Sequence, residues 1–190
     1  PKFYLEAWFD LLCPSSFYSY TQLMPVLQKL NFMNNTQLRT TFHVTGFPWY
    51  HNSVFFAQVL RFLANNLQNQ NDIWTFINAS FYNQGKYTNQ ATINMTDAQV
   101  QLQLTNFVHN VLPSYSIQNI ALAFTNATIK QEALTSYQYF AANAVSSTPA
   151  FWGNGAYING AANFTTAQWE QFLSQYITIP KGVKETTIEI

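Results

Sequence analysis

One cysteine, Cys13, stands among the 190 residues, and the residues around it set the chemistry open to the chain. It lies in Phe9-Asp10-Leu11-Leu12-Cys13-Pro14-Ser15-Ser16, between an alternating aromatic-rich stretch and a stretch with helical spacing. A cysteine at a helix N-terminus faces unpaired N–H groups and the positive end of the helix dipole, which favours a thiolate. Such a thiolate attacks a disulfide and forms a mixed disulfide, which a second thiol must then resolve. Three residues on, the chain offers Ser16, whose hydroxyl cannot take that role at neutral pH. A complete dithiol cycle within one chain is thereby excluded. With one cysteine there is also no internal disulfide, so Cys13 is free, modified or bonded to another chain.

Other polar groups are read against this centre. Asp10, three residues before Cys13, either shares a proton with it or serves as a cap or solvated group. His51 reads as a structural hydrogen-bonding group at a helix start, with a polar contact near Cys13 as the alternative. His43 falls in a strand and His109 late in a helix. No His, Cys, Asp and Glu spacing suggests a metal site. Trp49, Tyr50, Phe55 and Phe56 read as core, with a groove beside Cys13 as the alternative.

The elements that must position these residues follow from periodicity. Residues 2–10 alternate and predict a strand. Residues 14–30 carry Phe17, Tyr20, Leu23, Met24, Leu27 and Leu30 at helical spacing, with a kink expected at Pro25. Residues 37–45 predict a second strand. Helical spacing then dominates over 52–66, 72–82, 97–110 and a broken pair within 116–145. A short strand is expected at 150–152, a turn at Gly153-Asn154-Gly155, a return strand at 156–158 and a closing helix at 166–176. Residues 186–190 read as a strand without a hairpin partner. Strand, helix and strand in that order call for a parallel pair with a right-handed crossover.

Composition narrows the classes. Only 8% of residues are charged, against about 25% in an ordinary domain, and the net charge is zero. The long-range field of a nucleic-acid binder is missing. No apolar run reaches the length of a membrane span. Twenty asparagines and thirty serines and threonines supply the polar surface. Five of those asparagines, Asn34, Asn78, Asn94, Asn126 and Asn163, fit the N-glycosylation acceptor pattern. In Thr96-x-x-Gln99, Thr128-x-x-Gln131 and Thr165-x-x-Gln168 the sequon threonine also opens a capping box, which puts those asparagines on turns before helices. The expected environment is secreted, extracellular or the lumen of the secretory pathway. The chain opens inside a predicted strand, as a processed product would.

Two stretches carry a resemblance. Residues 9–16 look like the Cys-Pro-x-Cys site of the DsbA-like thioredoxin-fold family. Val145-Ser146-Ser147-Thr148-Pro149-Ala150-Phe151, followed by Asn154-Gly155, looks like that family's cis-proline loop and following strand. Phe47-Pro48-Trp49-Tyr50-His51-Asn52 is similar to a stretch in eukaryotic secreted members. The motif here is degenerate, Cys-Pro-Ser-Ser. The resemblance implies an α/β thioredoxin-like mixed sheet with an inserted helical subdomain. Residues 1–46 and 146–178 would form the core, 47–145 the insertion and 179–190 an extended tail. It also implies Cys13, Pro14, Ser16 and Pro149 as the motif positions, with Pro149 in cis.

Two functions are compatible with these residues. One is a non-catalytic secreted glycoprotein, a binding or assembly subunit whose partners are other protein chains, including copies of itself joined by C-terminal strand addition. The other is a single-cysteine oxidoreductase or isomerase with Cys13 as nucleophile. Glutathione would then replace the lost thiol, because some relatives with serine in the motif bind it. The first needs no cofactor.

Overall fold

The structure is a computed structural model that describes residues 1–69 and 71–180. Among these described residues four strands and seven α-helices follow in chain order: β1 (Phe3–Phe9), α1 (Pro14–Lys29), β2 (Leu38–Val44), α2 (Ser53–Asn65), α3 (Asp72–Asn83), α4 (Asp97–Val111), α5 (Ile117–Thr125), α6 (Ala127–Ala142), β3 (Ala150–Gly153), β4 (Ala156–Tyr157) and α7 (Thr166–Ser174). The chain divides into two compact units. One holds Pro1–Phe9, Pro14–His43 and the residues from Ser147 onward; the other holds Asp10–Cys13 and Val44–Ser146.

The first unit is built on a mixed sheet in the order β2-β1-β3-β4. β1 pairs antiparallel with β3, Glu6 opposite Trp152 and Ala7 opposite Phe151, and β3 pairs antiparallel with β4. β2 reaches the far side of β1 through α1, the crossover that parallel neighbours require. Phe3, Leu5, Ala7 and Phe9 are buried, and aromatic rings bind this layer to the helices. Phe3 meets Phe172 edge-on at 5.8 Å, Phe151 meets Trp169 at 4.9 Å, and Phe9 meets Tyr20 at 6.4 Å. The Ser19 hydroxyl donates to the Ala162 carbonyl at 2.6 Å, and Lys29 pairs with Glu170 at 2.8 Å. α1 continues through Pro25.

The hairpin sharpens a sequence expectation. Gly153 belongs to β3, and the turn is the two residues Asn154-Gly155, with φ of 50° and 81°. Positive φ at both central positions is the type I′ geometry whose twist suits a two-residue hairpin, and Asn-Gly supplies it at least strain.

The second unit is helical. α2 buries Phe55, Phe56, Val59, Phe62 and Leu63 and packs against α3, α5 and α6. Two of the three expected capping boxes form, at Thr96 with Gln99 before α4 and, in the first unit, at Thr165 with Gln168 before α7. The third does not. Asn126 is itself the N-cap of α6, its Oδ1 accepting from the Thr128 and Ile129 amides. Asn is as strong a cap as Thr, and one residue can hold the position. The strand expected at 186–190 lies outside the described residues, as does most of the 179–190 tail.

Candidate active site

The site begins where β1 ends. Asp10 turns the chain through Leu11 and Leu12 into Cys13, which directly precedes the first residue of α1. The Cys13 amide donates to the Asp10 carbonyl at 3.1 Å and closes this loop. Asp10 also accepts from the amide two residues on, Leu12, at 2.8 Å on Oδ1, the local bond that makes Asp a good turn residue. Gln84, just after α3, donates to the Leu11 carbonyl at 3.0 Å.

Two further donors reach Asp10 from the segment entering α2. The Ser53 hydroxyl donates to Oδ1 at 2.6 Å and the Phe47 amide to Oδ2 at 2.7 Å. Asp10 is fully buried. Burial pushes its carboxyl up to about 6, and the bonds from Ser53, Phe47 and Leu12 restrain that rise. A buried group that changes charge near pH 6 therefore sits one short loop from the sulfur.

The same segment brings Tyr50 to Cys13. Its turn is tight: the Tyr50 amide donates to the Phe47 carbonyl at 3.1 Å and the Ser53 amide to the Tyr50 carbonyl at 2.9 Å. Burial first, then interaction with the neighbouring Cys13 side chain and the nearby Cys13 and Asp10 charges, push the Tyr50 phenol up to about 12. Cys13 is 4% exposed, so its sulfur is shielded. Gly46 permits the close approach, since a Cβ there would lie 2.5 Å from the Ser53 carbonyl carbon.

The other sequence candidates fall as follows. Pro14 is exposed at the first position of α1, where a missing N–H costs nothing, and Ser16 is fully buried in the same turn. Pro149 is buried, follows a cis Thr148–Pro149 bond, and leads into β3. These three belong to the sheet unit, whereas Cys13, Asp10, Tyr50 and Ser53 belong to the helical one. His51 bonds Asp97 at 3.0 Å, with both side chains more than half exposed. His43 bonds Glu6 at 2.9 Å and stacks on Trp8 at 3.9 Å, and His109 bonds the Tyr115 carbonyl at 2.8 Å. Phe55 and Phe56 are core, while Trp49 is 59% exposed and lies parallel to the Phe47 ring at 6.2 Å. Asn34, Asn94, Asn126 and Asn163 are exposed; Asn78 is half-buried inside α3 and its sequon partner Ser80 is fully buried. Among the described residues no group of His, Cys, Asp and Glu could hold a metal ion, and no helix is long and apolar enough to cross a membrane.

The sequence pointed to Cys13 and Asp10 but left Ser53 unread and favoured the core for Tyr50, with a groove beside Cys13 as the alternative. An aromatic ring in an apolar stretch signals burial first, and only the packed segment shows it beside Cys13.

No family model matches the sequence, and no curated protein matches it. Solved structures do match in shape. BdbD from Bacillus subtilis superposes with a TM-score of 0.68 at 14% identity, over 92% of this chain and 87% of that one. The DsbA1 protein of Wolbachia pipientis gives 0.68 at 11% identity, over 92% and 85%. This chain has a DsbA-like thioredoxin fold. MdbA from Corynebacterium diphtheriae, a thiol-disulfide oxidoreductase, matches at 0.61 and 12% identity, over 89% of this chain and 82% of MdbA. At such identities the likeness is of fold alone, and function must be argued from the residues of the site.

Proposed function

We propose that this DsbA-like chain is a secreted, N-glycosylated binding or assembly protein that engages other protein chains without a dithiol redox cycle. The observation that carries the reading is the pairing of a single cysteine with Ser16 at the position where a resolving thiol would stand. A serine hydroxyl ends the exchange at the mixed disulfide. The shielding of Cys13 supports the same reading, because reactive cysteines are ordinarily partly exposed. Exposed sequons at Asn34, Asn94, Asn126 and Asn163 on a surface with few charges support glycosylation and a secretory route.

The test is insulin reduction in glutathione buffer. The wild-type chain should give no turnover beyond buffer, while Ser16→Cys, which completes a Cys-Pro-Ser-Cys motif, should give measurable turnover. Turnover by the wild-type chain would overturn the reading.

One observation favours a second reading, in which Cys13 exchanges with an external disulfide such as glutathione disulfide. The sulfur neighbours the Tyr50 phenol, which is pushed up to about 12, and lies one loop from the buried Asp10, whose carboxyl is pushed up to about 6. A vestigial cysteine needs neither.

A further inference from the structure

We infer that a cavity in the helical unit is a binding site for a neutral saccharide, with the side-chain amides of Gln68 and Asn119 as its hydrogen-bonding groups. The inference is independent of any chemistry at Cys13.

The cavity lies between the end of α2 and α5 and encloses about 430 Å³. That is within the range of about 300–1,000 Å³ found for small-molecule sites. Its back wall is aromatic: Phe62 and Tyr115 are both buried, and their rings meet edge-on at 6.0 Å. The wall also anchors the loop that follows α2. The Tyr115 hydroxyl donates to Asp72 Oδ2 at 2.7 Å and accepts from the Gln68 backbone amide at 3.0 Å. Asp72 Oδ2 accepts from the Asn69 amide as well, at 2.9 Å. Asn66 donates its side-chain nitrogen to the Phe62 carbonyl at 2.8 Å, and Asn65 donates its own to Glu132 at 2.7 Å. The lining is therefore held in place before a ligand arrives, which lowers the entropy cost of binding.

The chemistry of the walls selects the ligand. None of the lining residues is charged. The two carboxylates bonded to lining side chains, Asp72 and Glu132, are engaged by Tyr115 and Asn65. An ionic ligand would lose hydration here without gaining a countercharge. Gln68 and Asn119 are exposed, and each amide offers two donors and an acceptor. Hydroxyl groups, which both donate and accept, match that set. Leu67 and Leu122, 46% and 48% exposed, add apolar surface to the same cavity. A ligand that satisfies both kinds of wall carries hydroxyls around a face of C–H groups, and a sugar ring does so. Two sources share this chemistry, a free sugar and the glycan of a glycoprotein.

The experiment follows the amide resonances of the isotope-labelled full chain by NMR. It is titrated with methyl glucoside, with a released high-mannose N-glycan, and with glucuronate and glucosamine as charged comparisons. The Gln68 and Asn119 resonances should shift with a Kd of about 1 mM, the strength expected of a ligand with so few atoms. Asn119→Ala, at an exposed position, should keep the wild-type thermal midpoint and bind about fivefold more weakly, the worth of one hydrogen bond. Tighter binding of the N-glycan than of the glucoside makes a glycoprotein the source, and the reverse makes it a free sugar. No shift at these residues with either neutral probe up to about 20 mM overturns the inference. Tighter binding of glucuronate or glucosamine overturns it too, as does an Asn119→Ala chain that binds like wild type.

Discussion

The Ser53 hydroxyl donates to Asp10 Oδ1 at 2.6 Å, and so the first residue of α2 holds the loop that ends in Cys13. Both groups are buried, so the bond has no water to replace it. Ser53→Ala leaves the Asp10 carboxyl one donor short in a dry site. It should destabilise the fold by about 1–3 kcal/mol, the cost of an unmet buried acceptor. The same change removes one of the bonds that restrain the Asp10 pKa, so the acid should titrate higher still. Urea melts at pH 5 and pH 8 check both points: the loss should be larger at pH 8, where the acid is charged.

Asp10 also makes a prediction about pH. Its folded value of about 6 lies above the ordinary 3.8, so the native state binds this proton more tightly than the unfolded chain does. The stability it contributes is full below about pH 3.8 and is lost as pH rises through about 6. The span corresponds to about 3 kcal/mol. Asp10→Asn should be less stable at low pH, because its amide N–H would face donors matched to oxygens. Its stability should then fall less between pH 4 and pH 7.5 than that of wild type. Parallel pH profiles from denaturant melts would refute the buried titration.

Gly46 tests the geometry that brings the two segments together. A Cβ at this position would lie 2.5 Å from the Ser53 carbonyl carbon and 2.6 Å from the Val54 nitrogen, both backbone atoms that cannot swing aside. Gly46→Ala must therefore push the start of α2 away from Phe47, whose amide serves Asp10. We expect a loss of about 1–3 kcal/mol from overpacking, together with faster labelling of Cys13 as its shield loosens. Unchanged stability and labelling would show that the close approach is not required.

The frame of the molecule was legible because it is local. The alternation from Phe3 to Phe9, the helical spacing after Pro14, and the capping signals at Thr96 and Thr165 each act within a few residues, and each gives the element expected. Pattern reading erred where two local signals competed, as at Asn126 and Thr128, since both are cap formers. The site was only half legible. Cys13 and Asp10 lie close in sequence and form one loop. Tyr50 and Ser53 lie about forty residues further on, and they meet the loop only once the segment entering α2 packs, the Ser53 hydroxyl bonding Asp10. Nothing in the spacing of an aromatic or a lone serine specifies a partner at that separation.

Asn126 joins two roles that can be separated. Its Oδ1 caps α6, while the sequon Asn126-Ala127-Thr128 fits the pattern in which the side-chain nitrogen accepts a glycan under the proposed secretory route. The two are compatible, because the cap uses the oxygen and a glycan would use the nitrogen of an exposed side chain. Asn126→Asp keeps a good cap and removes the acceptor, whereas Asn126→Ala removes both. In material from a glycosylating host, intact mass should fall by one glycan in either variant. Stability should drop by about 1 kcal/mol more in Asn126→Ala than in Asn126→Asp. Asn78 gives the contrast: it is half-buried within α3, and its partner Ser80 is fully buried, so a glycan there would have to be accommodated inside packed structure. Glycopeptide mapping should find Asn34, Asn94, Asn126 and Asn163 occupied and Asn78 bare. Occupancy at Asn78 in folded, secreted protein would refute the packing of α3 described above. A chain bare at all five positions would instead remove the case for the secretory pathway.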